Sequence, residues 1–95
     1  MKKIVLVTGA NRGIGKEICR QIAVIGHQVI LCSRNKEKGR EAAKDLGESV
    51  DVQELDVTKE SSIERLKTYI EKTYGKLDVL INNYKRNKWS FRKHC

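Results

Sequence analysis

The feature that most restricts what this chain can become is a glycine-rich turn wedged between two regular segments. Residues 3–8, KIVLVT, form a continuous β-branched and aliphatic run, as expected of a parallel strand covered on both faces. Thr8-Gly9-Ala10-Asn11-Arg12-Gly13-Ile14-Gly15 follows at once, and Ile14, Ile18, Ile22 and Ile25 then recur at spacings of four, four and three. That spacing predicts a helix with one apolar stripe, ending near Gly26. Such an order carries a helix N-terminus, with its unpaired N–H groups and positive dipole end, to the tip of a strand. Glycines there let the chain turn sharply, let the helix pack close to the strand and let the backbone approach an anion. Taken alone the turn would also serve as a bare strand-to-helix connection; the strand before it and the helix after it point to an anion site.

The rest of the chain repeats the alternation. Residues 28–33 read as a second buried strand, after which Asn35 can cap a helix with Gly39, Ala42, Ala43 and Leu46 inward and Gly47 as its stop. A third strand is predicted over residues 50–57. Ser61 and Glu64 then match a capping box ahead of the stripe Ile63, Leu66 and Ile70, with a stop near Gly75. Residues 77–81, LDVLI, are a fourth strand, broken by Asn82 and Asn83. Four strands alternating with three helices require parallel pairing through right-handed crossovers. The predicted fold is therefore α/β, a partial Rossmann sheet of order 3-2-1-4 with the third helix alone on one face.

Composition narrows the function classes. Ninety-five residues suffice for one small domain. No apolar run approaches the roughly 18 residues of a membrane-spanning helix, and the run from Ile4 to Val7 is too short for a signal peptide, so a cytosolic chain is expected. Cys19, Cys32 and Cys95 are odd in number and lack metal spacing, and His27 and His94 have no companion ligand, so neither a disulfide framework nor a metal site is suggested. The net charge of +8 is concentrated in residues 84–95, YKRNKWSFRKHC, which hold five Lys or Arg and no acid. Residues 1–83 form the expected domain, and residues 84–95 a basic aromatic tail outside the fold.

The end of the second strand selects the ligand. At Cys32-Ser33-Arg34, an acidic residue would accept hydrogen bonds from a ribose 2'-hydroxyl, whereas Arg34 can pair with a 2'-phosphate. Arg12 in the glycine turn can reach the same group. Lys38, one helical turn beyond Arg34, adds a third charge; the alternative for each cation alone is a solvated surface residue, a weaker alternative for Arg34 than for Lys38.

TGANRGIG after the first strand, LDVT at Leu55 to Thr58 and INN at Ile81 to Asn83 together resemble the N-terminal half of a short-chain dehydrogenase/reductase, of the NADPH-preferring, carbonyl reductase-like kind. The resemblance covers residues 3–83. It implies NADP as cofactor, with Gly9, Asn11, Arg12, Gly13, Ile14 and Gly15 around the phosphates and Arg34 and Lys38 at the 2'-phosphate. It further implies Asp56 at the adenine amino group, Val57 at the adenine edge, Asn82 or Asn83 on the adenosine ribose side, and Thr8 tying strand 1 to strand 4. A purely structural role for Asp56, capping the turn before Thr58, stays open.

The family continues Asn-Asn-Ala-Gly and adds, further on, a catalytic Ser and a Tyr-x-x-x-Lys. Here Tyr84-Lys85 replaces Ala-Gly. Tyr84 and Lys88 do stand at that spacing, but directly after strand 4, and a chain this rich in lysine produces such a pair by chance. Hydride transfer to a small carbonyl substrate is therefore expected of a full-length parent, while this chain is expected to bind NADP without turnover. The tail admits three readings: a truncated or shifted continuation, a short isoform binding nucleic acid through phosphate pairing and base stacking, or a solvated basic segment that meets an acidic partner. Strand 4 at an open sheet edge is also expected to favour association with a second chain.

Overall fold

A strand with no polar interruption needs apolar cover on both faces and hydrogen-bond partners on both edges. The computed structural model, which describes residues 2–10 and 13–82, meets both needs for the first run. Ile4–Val7 is strand β1. Its neighbours are β2 (Gln28–Ser33) and β4 (Val79–Ile81), and β3 (Asp51–Glu54) lies beyond β2 in a parallel sheet of order β3-β2-β1-β4. Helices α1 (Gly13–Ile25), α2 (Lys36–Ala43) and α3 (Glu60–Thr73) make the connections. Fold class and strand order are those expected from the sequence.

The alternation of side chains along β1 and β2 builds two cores. Val5, Val7, Val29 and Leu31 face Cys19 of α1 and Ala42 of α2. Leu6, Ile30 and Cys32 face Ile63, Leu66 and Ile70 of α3 on the other side. The third helix does stand alone on its face, because the connection from β3 to β4 must pass β2 and β1.

Helix α1 departs from its expected stripe. Ile14 is 74% exposed and Ile25 70%, whereas Gly15 and Cys19 are buried, with Ile18, Ile22 and Ala23 packed at the margin. A helix entered directly from a glycine turn lies so near the sheet that only small residues fit the line of contact, and the larger ones flank it. The weak apolar face of α2 has the same explanation. A Cβ on Gly39 would lie 2.9 Å from Val52 Cγ1 and 3.3 Å from Ser33 Cβ, so close approach replaces bulk.

Several boundaries also differ, among them that of β4, which opens at Val79 rather than at Leu77. Helix α2 stops at Ala43 rather than running to Gly47, although Leu46 still reaches the core. Strand β3 ends at Glu54, not at Val57, because Asp56 Oδ1 accepts the backbone N–H and the hydroxyl of Thr58 at 3.0 and 2.6 Å and turns the chain out of the ladder. The expected capping box does not form: α3 begins one residue before Ser61, with Lys59 as an N-cap that makes no side-chain bond. The Ser62 hydroxyl instead accepts the Asp56 N–H at 2.9 Å.

Two carboxylates fasten the sheet to its surroundings. Asp78 Oδ2 accepts the Ile4 N–H at 2.8 Å while the Asp78 N–H donates to the Ile4 carbonyl at 3.0 Å, so this residue begins the β1–β4 pairing before β4 itself starts. The Ile4 N–H, and then the Lys76 ammonium, hold its carboxyl below the ordinary value. Asp51, opening β3, accepts the Tyr69 and Tyr74 hydroxyls at 2.5 and 2.6 Å and the Gln53 amide at 2.8 Å. Partial burial, followed by the Asp51 contact, pushes both phenols above their usual range.

Two outcomes are expected. Asp78 has a depressed folded-state pKa, so its contribution to stability is present above the unfolded value of about 3.9 and is lost as pH falls through the folded one. Thermal unfolding of wild type and Asp78→Asn should thus show a Tm gap at neutral pH that closes below about pH 4; a gap independent of pH would contradict this account. Gly39→Ala should destabilise, because overpacking costs about 1–3 kcal/mol against at most about 1 kcal/mol gained in helix propensity. In a Val52→Ala background, which removes the obstructing methyl, urea unfolding should show the penalty shrink.

Candidate functional site

The turn after β1 is fixed by its glycines and by its neighbours. Gly9 and Gly13 have φ of 56° and 65°, a left-handed backbone that side chains with a Cβ resist. The Thr8 N–H donates to the Ile81 carbonyl and the Ala10 N–H to the Cys32 carbonyl, both at 3.0 Å. The Thr8 hydroxyl also donates to Asn82 Oδ1 at 3.1 Å. The carboxyl ends of β1, β2 and β4 are thereby held together, and Thr8 ties strand 1 to strand 4 as the resemblance implies.

A cleft of about 1300 Å³ opens over these strand ends. Gly9, Gly13 and Lys16 bring the turn and the first turn of α1 to it; Ser33, Arg34, Asn35 and Lys38 bring the β2–α2 connection. That connection is shaped locally: Ser33 Oγ accepts the Asn35 N–H at 3.2 Å, and Asn35 Oδ1 accepts the Lys38 N–H at 3.0 Å as the expected N-cap. Arg34 is left on the rim, and Lys38 stands in the first turn of α2. Asp56 and Glu54 supply the third wall, and Lys59, Ser61, Ser62 and Arg65 the fourth.

Charge in the cleft is unbalanced. Lys16 pairs with Asp45 at 3.3 Å, and Glu41 with Lys44 at 3.2 Å. Arg34, Lys38, Lys59 and Arg65 make no ion pair within 4.0 Å with another described residue. Asp56 is held below its ordinary pKa, first by the Thr58 hydroxyl and N–H and then by the charges of Arg34 and Lys59. Its Oδ1 serves the Thr58 turn, and Oδ2 has no hydrogen-bond partner among the described residues. The turn-capping role is therefore real, and it leaves an ionised acceptor facing the cleft.

Of the residues selected from sequence, the structure brings Gly9, Gly13, Arg34, Lys38 and Asp56 to this one cleft. Gly15 is a buried residue of α1 itself, Val57 sits in the core beside α3, Asn82 is bonded to Thr8, and Ile14 projects outside the lining. Asn11, Arg12, Asn83, Tyr84 and Lys88 lie outside the described residues. Sequence reasoning missed Lys16 and the α3 wall. Ser61, Ser62 and Arg65 share one helix face at spacings of three and four, a signal present but eclipsed by the apolar stripe beside it.

Two features argue against other chemistry at the described residues. Burial raises the Cys19 thiol to about 12 and the Cys32 thiol higher still, which leaves both protonated and unreactive. Tyr69 and Tyr74 donate to Asp51 at the amino end of the sheet, away from the cleft. No described group of three or more His, Cys, Asp or Glu could hold a metal ion, and no described helix is long and apolar enough to cross a membrane.

Comparison with known proteins agrees with this geometry. The (-)-isopiperitenone reductase of Mentha piperita is 46% identical over 90 residues, covering 87% of this chain and 29% of that protein. The solved menthone neomenthol reductase of Mentha piperita superposes with a TM-score of 0.84 at 43% identity, over 92% of this chain and 33% of the other. An actinorhodin polyketide ketoreductase, solved with NADPH, matches with a TM-score of 0.81 at 39% identity, over 90% of this chain and 34% of the other. The chain thus spans about a third of the length of the relatives it matches. The family model described as short chain dehydrogenase matches residues 3–88, and with a turn, a sheet order and relatives that all agree, the chain belongs to the short-chain dehydrogenase family.

Proposed function

We propose that the cleft binds NADP(H) and that the chain is the cofactor-binding part of an oxidoreductase acting on carbonyl compounds. The observation that carries this reading is the position of Arg34 and Lys38 on the cleft wall, without ion-pair partners among the described residues, where a site for the unphosphorylated dinucleotide would carry an acid. The donor set fits the cofactor. Backbone N–H groups of the Gly9–Gly13 turn and the α1 N-terminus suit the pyrophosphate, with Lys16 beside them. Arg34 and Lys38 suit the 2'-phosphate, and the open Oδ2 of Asp56 suits an adenine amino group. Val57 and Asn82, which the cleft does not include, act in this reading through the backbone and through the Thr8 bond.

When bound, the reduced nicotinamide supplies a hydride for a carbonyl carbon. The described residues of this chain bind and orient; they place no phenol or imidazole at the cleft that could give the carbonyl oxygen its proton. The reductase names of the relatives support the reaction class, and the NADPH found with the ketoreductase supports the cofactor.

In low salt, calorimetry should show 2',5'-ADP binding more tightly than 5'-AMP, since a charge-assisted contact contributes about 1.5–3 kcal/mol. Arg34→Asp should reverse that preference. Equal affinity for the two ligands would remove the basis for an NADP site, and tighter binding of single-stranded DNA than of either would favour the nucleic-acid reading of residues 84–95. The 95-residue chain should also consume NADPH with a panel of aldehydes and ketones no faster than buffer. Turnover that Tyr84→Phe abolishes would instead identify Tyr84 and Lys88 as a working pair.

A further inference from the structure

Resting on the NADP reading above, the structure assigns a specificity role to the wall of the cleft built by α3: we propose that Lys59 and Arg65 discriminate for the phosphorylated adenosine from the side opposite Arg34 and Lys38. Arg65 shares a helix face with Ser61 and Ser62, and all three line the cleft while Ile63, Leu66 and Ile70 hold the helix to the sheet. Asp56 lines the same cleft just after β3, the strand that pairs with β2 and leads into α3.

Charge balance gives the second wall its importance. Among the described lining residues, Arg34 and Lys38 are matched by Glu54 and Asp56, so by themselves they leave the cleft neutral. Lys59 and Arg65 supply an excess of two positive charges, with no described carboxylate within ion-pair distance of either. A phosphate monoester carries about 1.5 to 2 negative charges at neutral pH, which matches that excess. A 5'-monophosphate or pyrophosphate would meet the glycine turn and the start of α1 with Lys16 instead, on elements that precede β2. The α3 cations therefore raise affinity for the 2'-phosphate more than for the remainder of the ligand.

The test compares the full chain with Lys59→Gln/Arg65→Gln and with the charge-keeping Lys59→Arg/Arg65→Lys, using 2',5'-ADP and 5'-AMP in low salt. Both side chains are exposed, and thermal unfolding verifies that each variant is folded. Removing the charges should lower the ratio of 5'-AMP to 2',5'-ADP dissociation constants about fivefold to twentyfold, with little change for 5'-AMP itself. The charge-keeping variant should retain the wild-type ratio. An unchanged ratio, or equal weakening of both ligands as general electrostatic attraction would produce, overturns the proposal while the NADP reading survives through Arg34→Asp. A wild-type chain that does not distinguish the two ligands overturns both.

Discussion

The structure depends on β1 finding hydrogen-bond partners on both of its edges. Its register sets Val5 against Val29 of β2 and Val79 of β4, and Val7 against Leu31 and Ile81. The two partner strands are about fifty residues apart in sequence, and parallel pairing forbids a tight hairpin between any of them. The chain must first build outward from β1 through β2 to β3 and then cross back over the sheet to reach β1 again. Right-handed crossovers then place α1 and α2 on one face and α3 on the other. Where the helices diverge, the carboxyl ends of the strands are left uncovered, and the cleft opens there. Its location is a consequence of strand order before any side chain is considered.

Small residues set how near the helices lie, and polar turns set where the charges point. Gly15 and Cys19 bring α1 close to the sheet, and Gly39 does the same for α2. With α2 so close, the two bonds that shape its start, Asn35 to Ser33 and Lys38 to Asn35, fix Arg34 on the rim and Lys38 within the cleft. On the opposite wall the bond from the Asp56 N–H to Ser62 docks the first turn of α3 against the end of β3. Packing on the apolar side thus determines the electrostatics on the polar side.

Strand order and helix number were legible because they rest on long periodic runs whose burial has no alternative. The glycine turn was legible because its residue types are demanded by backbone geometry, and Arg34 because it stands at a fixed distance after that turn. The face of α1 is not legible from hydrophobicity, because close packing here selects glycine and cysteine and turns Ile14 and Ile25 outward. The start of α3 was misread for a related reason: Ser61 and Glu64 have the spacing of a capping box, but Ser62 is engaged by Asp56, five residues before Ser61, and the helix begins earlier. The polar face of Ser61, Ser62 and Arg65 was present in the spacing but pointed to no ligand, since its relation to Arg34, and that of Lys59, exists only once β2 and α3 frame the same cleft.

Asp51 and Asp56 show how one residue type takes opposite roles at the two ends of the same segment. Asp51 spends both carboxylate oxygens on Tyr69, Tyr74 and Gln53, and with them clamps the last turn of α3 to the edge of the sheet. The near-perpendicular packing of the two rings, with centroids 6.3 Å apart, stiffens that clamp. Asp56 spends one oxygen on the Thr58 turn, and the other has no hydrogen-bond partner among the described residues. Because α3 is anchored at its far end and along Ile63, Leu66 and Ile70, its first turn needs no side-chain cap to stay in place. Ser62 docks that turn through the Asp56 N–H, while Lys59, Ser61 and Arg65 line the cleft with no side-chain bond to the helix start among the described residues. Asp51 and Ser62 thus position this helix from its two ends, and the cations of its first turns line the cleft.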